Sequence, residues 1–275
     1  MRKMLRNVAS TLLLATLALA PAAADAGDQV NVLILKEHGV GSAASAQEYV
    51  DKLMGHVARE NGWSAAAGTY MTSRSLATGW IAGNNPHYGI MSLPAFLALR
   101  SQNKLEIIGS AKVSGGGGRQ YFVVSSSETT LAGCKGKTLG TDHGDDTTFI
   151  DAVVGQADFS LADFSVEDTR RPMKTVKSAA RGEVTCALID DAQKSSLAKV
   201  EGGAALNVVW SSAELPPMAV VAFPAAPSGE KKAFKSKLAA VCAGEGADAC
   251  KEVGLRALSS ASDSDYASVI KSYGG

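Results

Sequence analysis

The sequence predicts an α/β fold built from two similar halves. The first observation is a repeated pattern of helix, glycine and short strand, which occurs at residues 73–92 and again at residues 174–190. The second is the regular alternation of apolar, strand-like runs with helical segments, which is typical of parallel α/β sheets. The third is length, because residues 27–275 suffice for one large domain or two small ones.

Residues 1–26 have the three parts of a secretory signal peptide. A basic start is followed by an apolar run at residues 8–20 and by an A-x-A cleavage site that ends at Ala26. The apolar run is shorter than the roughly 20 residues that a membrane-spanning helix needs. We therefore expect a soluble, periplasmic chain that begins at Gly27, without a lipid anchor, because no cysteine lies near the cleavage site.

The elements of the first half follow from apolar runs and from residues that start or stop helices. Gly62 ends the first helix, Ser73 caps the second, and Pro94 lies early in the third. The predicted strands are residues 30–35, 64–71, 87–91, 105–113 and 120–125. The predicted helices are residues 45–61, residues 73–83 and a segment from Pro94.

The same order of elements restarts in the second half. The predicted strands are residues 137–141, 164–167, 184–189, 206–210 and 218–223, and the predicted helices are residues 146–154 and 173–181. The tail has a helical pattern at residues 229–241, 247–258 and 264–273. We expect this tail to pack back on the first half.

Composition and motifs argue against a nucleic-acid partner and against an enzyme. The chain has 27 lysines and arginines and 27 aspartates and glutamates, so it lacks the basic excess that nucleic-acid binding requires. The sequence contains no G-x-S-x-G, H-E-x-x-H or P-loop motif. We expect a binding protein that has no catalytic residues and no cofactor.

Four cysteines lie beyond the signal peptide, in a context that favours disulfides. Three pairings are possible. We favour Cys242–Cys250, which closes a turn rich in glycine and alanine, and Cys134–Cys186, which joins neighbouring strands of one lobe. Metal ligation by these cysteines is disfavoured because no C-x-x-C motif is present.

The loop after the first strand, Gly39 to Ala44, fits the pattern G-x-G-x-x-A of dinucleotide-binding folds. This match is weak, and exported proteins rarely use a soluble dinucleotide. We expect a glycine turn that brings the N-terminus of the next helix to a ligand cleft, where backbone N–H groups can hold a ligand.

Residues 141–148, TDHGDDTT, are the densest polar segment of the chain. They follow a predicted strand and open a predicted helix, where one acid serves as an N-cap and favours the helix dipole. A cap explains one acid but not three acids with a histidine. We expect at least one of these side chains to face a ligand.

Several phrases, in this order, resemble the periplasmic substrate-binding proteins of phosphate/phosphonate-type ABC transporters. The resemblance covers most of the chain after the signal peptide, although no phrase is diagnostic alone. Its phrases are an early helix with Tyr49, LATGWIAGNNPHYGIMSLPAFLAL, GCKGKTLGTDHGDDTTF, GEVTCALIDD, VVWSSAELPPMAVVAF and SDSDYASVI.

This resemblance implies a two-lobed type II periplasmic-binding-protein fold, in which each lobe is a mixed sheet flanked by helices and the hinge consists of crossing strands. Lobe one would contain residues 27–122 and 222–275, and lobe two residues 123–221. The resemblance further implies a monomer that closes on a phosphonate- or phosphate-like oxyanion and delivers it to an ABC permease in the inner membrane.

The family's ligand site can be carried over position by position. It implies ligand-binding residues from both lobes, namely Tyr49, Ser92, Phe96, Asp142, Asp145, Asp146, Thr147, Thr148 and Asp190. Three departures weaken the match to an oxyanion. Aspartates 145 and 146 stand where relatives have hydroxyls, Phe96 replaces an aromatic hydroxyl, and Pro172 replaces a histidine. A carboxylate about 4 Å from a phosphonate oxygen would cost several kcal/mol.

Two other functions therefore stay open. Carboxylates and imidazoles at the ends of two strands suit a metal ion or a cationic solute. The alternative metal ligands are Glu37, His38, Asp142, His143 and Asp145. The third possibility is a periplasmic ligand sensor or accessory protein, because a docking surface leaves no motif in the sequence.

Overall fold

Two mixed β-sheets, each flanked by helices, make up the protein. The structure is a computed structural model and describes residues 29–38, 43–114 and 117–274. The expected signal peptide and most of the glycine turn at residues 39–44 lie outside the described residues. Within the described part of the chain, no helix has the length and apolarity that crossing a bilayer requires.

The strands and helices alternate along most of the chain, as the sequence predicts. The strands are β1 (Val30–Leu35), β2 (Ala66–Met71), β3 (Tyr88–Met91), β4 (Glu106–Val113), β5 (Tyr121–Ser125), β6 (Thr138–Thr141), β7 (Ser165–Asp168), β8 (Cys186–Asp190), β9 (Asn207–Ser211), β10 (Met218–Ala222) and β11 (Leu255–Ser260). The α-helices are α1 (Ala43–Asn61), α2 (Arg74–Asn84), α3 (Leu93–Asn103), α4 (Leu131–Cys134), α5 (Pro172–Ala180), α6 (Asp191–Ser195), α7 (Ser228–Val241), α8 (Gly246–Glu252) and α9 (Ala267–Tyr273). A π-helix spans Phe149–Gly155, where the sequence predicts an α-helix.

The first sheet has six strands in the order β11-β4-β10-β3-β1-β2. Strand β1 is parallel to β2 and β3, while β10 runs antiparallel to β3 and β4. Alternate residues of β1 enter different core clusters, Leu33 and Leu35 on one face and Val32 and Ile34 on the other. Both faces of β1 are therefore covered, which explains its continuous apolar sequence.

The second sheet has five strands in the order β7-β6-β8-β5-β9. Strand β6 is parallel to β7 and β8, and β5 runs antiparallel to β8 and β9. Each sheet therefore combines parallel strands with antiparallel ones, as the resemblance implies for a type II binding protein. The first sheet with its helices is called the first lobe below, and the second sheet with its helices the second lobe.

Two segments carry the chain between the sheets, and they contact each other. Leu215 N donates to Arg119 O at 2.7 Å, and the Arg119 guanidinium lies 2.7 Å from Glu214. Strand β5 begins at Tyr121 and β10 at Met218, so each change of sheet comes a few residues before the boundary predicted from the resemblance.

The tail differs from the sequence prediction in two respects. Residues predicted as the end of a helix form β11, because Gly254 in the left-handed region (φ 75°) ends α8 and Leu255 then pairs with β4. Helix α9 packs on the π-helix of the second lobe, and Val269 and Phe149 are buried in the same core cluster. The tail thus contacts both lobes rather than the first alone.

Both favoured disulfides are confirmed. Cys242–Cys250 links the end of α7 to α8, and Cys134–Cys186 links α4 to β8. Cys134 lies at the end of a short helix that precedes β6, and not in a strand as the sequence suggests.

Candidate functional site

Two adjoining cavities lie between the lobes, where the carboxyl ends of parallel strands meet. The larger has a volume of about 630 Å³ and the smaller about 290 Å³. Glu37 and His38, which follow β1, line both cavities. Asp142 and His143 follow β6. Asp142 lines the larger cavity, and His143 lines the smaller one. Ligand sites of α/β sheets lie at such strand ends, because the loops that follow parallel strands converge there.

The larger cavity is lined by the N-terminus of α2 and by acids of the second lobe. Ser73 caps α2, as predicted, by accepting a hydrogen bond from Leu76 N at 3.5 Å. Asp142, Asp145 and Asp168 line the other side of this cavity. Three carboxylates therefore face the hydroxyl groups around the first turn of α2.

The smaller cavity combines a lysine with hydroxyl groups. Lys36 and Ser92 come from the ends of β1 and β3, and Tyr121 and Asp190 come from the second sheet. Burial lowers the pKa of Lys36 below its ordinary value of 10.5, although Asp190 and Asp191 act in the opposite direction. Burial also raises the pKa of Asp190, which favours the neutral acid.

An ion-pair cluster around Arg74 connects the lobes. The Arg74 guanidinium donates to both oxygens of Glu37 at 2.8 and 2.9 Å and to Asp146 at 2.6 Å. The Tyr273 hydroxyl, at the end of α9, lies 3.1 Å from the same Asp146 carboxylate. Arg74 and Glu37 belong to the first lobe and Asp146 to the second, so this cluster holds the two lobes together.

A second inter-lobe contact joins His38 to two acids. His38 Nδ1 lies 3.5 Å from Asp142 Oδ2, and His38 Nε2 lies 3.6 Å from Asp145 Oδ1. Burial alone would lower the pKa of His38, but the two carboxylates outweigh it and raise the pKa above 6.5. The His38 backbone is in the left-handed region (φ 55°), which is uncommon for a residue other than glycine.

Asp142 is the centre of a buried hydrogen-bond network. Its Oδ1 accepts from Thr175 Oγ1 at 2.9 Å and from Gln193 Nε2 at 2.8 Å. Burial alone would raise the pKa of Asp142, but His38, His143 and Thr175 lower it from 3.8 to about 2. Asp142 is therefore a carboxylate at neutral pH. Its Oδ2 is buried without a hydrogen-bond partner among the described residues.

Most of the predicted site residues come together in this cleft. Ser92, Asp142, Asp145 and Asp190 line the cavities, as do three of the alternative metal ligands, Glu37, His38 and His143. Asp146 is buried in the Arg74 cluster instead of facing a cavity. Of the alternative metal ligands, Glu37 is likewise occupied by Arg74.

Besides Asp146, four predicted ligand residues line neither cavity. Tyr49 is an exposed residue of α1, and Phe96 is fully buried with its ring packed edge-to-face on Tyr266. Thr147 and Thr148 are exposed. Their turn is capped by Asp146, whose Oδ1 accepts from Phe149 N at 2.9 Å. The acid caps the helix start and the hydroxyls that follow it are exposed, so the ligand role of these carried-over positions stays a prediction.

Sequence reasoning missed several residues that shape the cleft, namely Lys36, Arg74, Tyr121, Thr175 and Gln193. For two of them the sequence context could have indicated a position in the cleft. Lys36 follows an apolar strand directly, and Arg74 stands between two serines at a strand-to-helix junction. For Gln193 it gave no such indication, because its position in α6 looks like an ordinary solvated helix residue.

Comparison with known proteins gives matches of structure only. No family model and no curated protein matches the sequence. Two structures of XAC2383 from Xanthomonas citri, bound to chloride ion and to ATP, have TM-scores of 0.68 and 0.67 at 9% identity, and they cover 89–90% of this chain and 96% of that one.

Two further solved structures are similar over most of their length. PhnD1 from Prochlorococcus marinus in complex with methylphosphonate has a TM-score of 0.64 at 10% identity, covering 88% of this chain and 96% of that one. A binding protein component of an ABC phosphonate transporter from Pseudomonas aeruginosa has a TM-score of 0.62 at 13% identity, covering 86% and 83%. The chain therefore has the two-lobed type II fold of the periplasmic binding proteins.

Proposed function

We propose that this chain is the solute-binding component of an ABC-type uptake system. It is exported to the periplasm, closes on a small ligand between its lobes and delivers that ligand to a permease in the inner membrane. The polar cleft supports this role, because both lobes contribute side chains to it and a ligand there stabilises the closed form. The likeness to the Pseudomonas aeruginosa transporter component also supports it.

The proposed ligand is a small phosphonate- or phosphate-like oxyanion, held in the smaller cavity. The observation that carries this proposal is Lys36, which lines the cavity and whose ammonium has no ion pair or hydrogen bond with a described residue. Ser92, Ser195 and Ser196 line the same cavity. Their hydroxyls donate to Glu37 Oε2 and to Ala192 O in this structure, and each would rotate to donate to an oxyanion instead. A charged donor together with hydroxyls is the donor set that an oxyanion requires.

The acids of the cleft are compatible with this ligand in the smaller cavity. Glu37 is paired with Arg74, and the raised pKa of Asp190 favours a neutral acid that can donate a hydrogen bond. The N-terminus of α3 begins directly after Ser92, whose side chain does not cap the helix and donates to Glu37 Oε2 at 3.4 Å. The positive end of this helix adds to the attraction for an anion.

The larger cavity favours a second candidate, a solute that carries a positive charge. Asp142, Asp145 and Asp168 line it, and a primary amine could pair with any of them. Titration with polyamines tests this candidate beside the oxyanions. If an amine binds and every oxyanion fails, the cationic solute replaces the oxyanion in the proposal.

Isothermal titration of the ligand-free protein from Gly27 with phosphate, phosphite and methylphosphonate tests the oxyanion. Lys36→Met should weaken binding by about 10- to 150-fold, the loss of one charge-assisted hydrogen bond. The matched control is Lys52→Met, since Lys52 is 54% exposed on α1. Equal affinities for the wild type and Lys36→Met would exclude Lys36 as the anion site.

The transport role is tested separately from ligand identity. The ligand-loaded protein should stimulate ATP hydrolysis by its permease–ATPase complex in membrane vesicles. A sensor or accessory protein would bind the same ligand and leave ATP hydrolysis unchanged. That result would contradict the uptake role while keeping the binding role.

A further inference from the structure

We infer that the cleft binds a divalent transition-metal ion between His38 of the first lobe and Asp142 and His143 of the second. Each of the three offers one donor atom, and these atoms all lie within 4.8 Å of one another. The 3.5 Å between His38 Nδ1 and Asp142 Oδ2 is close to the edge of about 3.3 Å in a tetrahedral site with bonds of about 2.0 Å.

The unpartnered oxygen of Asp142 is the first observation behind this site. The side chain is 1% exposed, and Oδ2 has no hydrogen-bond partner among the described residues. A buried carboxylate oxygen without a partner is costly. Because Thr175 and Gln193 hold Oδ1, the remaining oxygen is fixed in place beside His38. In this structure Oδ2 faces His38 Nδ1 at 3.5 Å, and a metal ion bound by both atoms would replace the proton between them.

Gln193 orients the other two second-lobe groups. Its amide nitrogen donates to Asp142 Oδ1 at 2.8 Å and to Pro172 O at 3.0 Å. Its amide oxygen therefore accepts, from Asp190 N at 2.8 Å and from His143 Nε2 at 3.1 Å. His143 thus carries its proton on Nε2, and the lone pair of the neutral ring is on Nδ1.

His38 has the same arrangement. Its Nε2 faces Asp145 Oδ1 at 3.6 Å, while its Nδ1 faces the unpartnered oxygen of Asp142. Metal-binding histidines usually donate their other N–H to a carboxylate or carbonyl oxygen, which fixes the ring and raises its basicity. Both histidines of the cleft therefore have an outer oxygen near Nε2 and would bind an ion through Nδ1. His38 would release the proton between Nδ1 and Asp142 Oδ2 when the ion binds.

The donor set selects the class of ion. Two imidazoles and one carboxylate suit zinc and its first-row neighbours, whereas magnesium and calcium prefer oxygen ligands alone. The ligands come from both lobes, so the ion would stabilise the closed form. The inference rests on the proposed function only in this use of lobe closure, and it does not depend on the oxyanion.

Titration of chelator-treated protein with Zn²⁺, followed by calorimetry, tests the site. One equivalent should bind, and Co²⁺ should give the intense visible absorption of a four-coordinate site. His38→Ala and Asp142→Asn should each weaken Zn²⁺ binding by at least about tenfold. Both variants should fold, because His38 is partly exposed at the cavity rim and asparagine has the shape of the aspartate that it replaces at residue 142. Circular dichroism checks that they do.

His87→Asn is the matched control, because the asparagine oxygen can still accept the hydrogen bond that His87 Nδ1 takes from Asn31 N. It should bind Zn²⁺ like the wild type. The inference is overturned if Zn²⁺ does not bind, if binding persists in both cleft variants, or if Ca²⁺ binds as tightly. Methylphosphonate binding by the metal-free protein would then leave the proposed function intact, whereas Zn²⁺ binding without any oxyanion would remove the oxyanion and keep the metal site.

Discussion

Replacing Arg74 with methionine should destabilise the protein and loosen the contact between its lobes. The guanidinium makes two hydrogen bonds to Glu37 and one to Asp146. The two carboxylate side chains are 4% and 7% exposed, and Arg74 itself is 22% exposed. Without the guanidinium, two negative charges stay buried with no cation paired to them.

The expected loss is large for a single substitution. Removal of one partner from a buried ion pair costs about 3–5 kcal/mol. In a protein of 150–250 residues each kcal/mol lowers Tm by about 2–4 °C, so Arg74→Met should lower Tm by about 6–20 °C. Circular dichroism during heating at pH 7 measures this change.

Arg181→Met is the matched control. Its pair with Glu183 is 67% and 52% exposed, and exposed pairs contribute about 0–1 kcal/mol. Equal Tm values for the two variants would refute the reasoning. A second readout concerns the lobes, because X-ray scattering should give Arg74→Met a larger radius of gyration than the wild type. Adding Asp146→Asn to Arg74→Met should recover part of the lost stability by removing one unpaired charge.

Three further predictions follow from the disulfides and from two shifted pKa values. Loss of Cys134–Cys186, whose sequence separation is 52, should cost about 4 kcal/mol, and loss of Cys242–Cys250, separation 8, about 2.5 kcal/mol. Urea unfolding of the paired serine variants tests this order, and the reverse order would contradict the loop-closure account. Asp190→Asn should stabilise the protein at pH 7, because the raised pKa of Asp190 means that its ionised form disfavours the folded state above that pKa. This advantage should shrink as the pH falls toward 3.8, and a constant difference in urea midpoints would contradict it. The affinity for methylphosphonate should fall with rising pH before 10.5 is reached, because burial lowers the pKa of Lys36. Lys36→Arg should hold its affinity to higher pH in the same titration, and an unchanged profile would count against Lys36.

Local patterns predicted the fold well, because each of these elements is determined by its own residues. The apolar run of β1 matches the observed strand, and the Ser73 cap places the start of α2. Strand β11 was out of reach because its pairing with β4 depends on contacts distant in sequence. Propensity alone gave a helix there, and tertiary contacts overrode it.

The candidate site was only partly predictable, for a related reason. Strand ends identified Asp142 and His143, since chain order alone brings such residues to the cleft, and the family resemblance added Asp190. Which side chains point inward depends on neighbours. The ion pair with Arg74 keeps Asp146 out of the cavity, and Thr148 is exposed to solvent just before the π-helix. Such partner choices leave no signature in a single sequence.

The position of β10 has a consequence for how the chain folds as it is made. This strand lies between β3 and β4, yet all five strands of the second sheet precede it in sequence. Synthesis from the N-terminus therefore completes the second sheet from one continuous segment before β10 and β11, the two neighbours of β4, have been made. Contacts between residues far apart in sequence form slowly. In a chain that stops before Met218, the second sheet would be complete. The first sheet would lack the strand between β3 and β4, and the free edges of these two strands could pair with other strands.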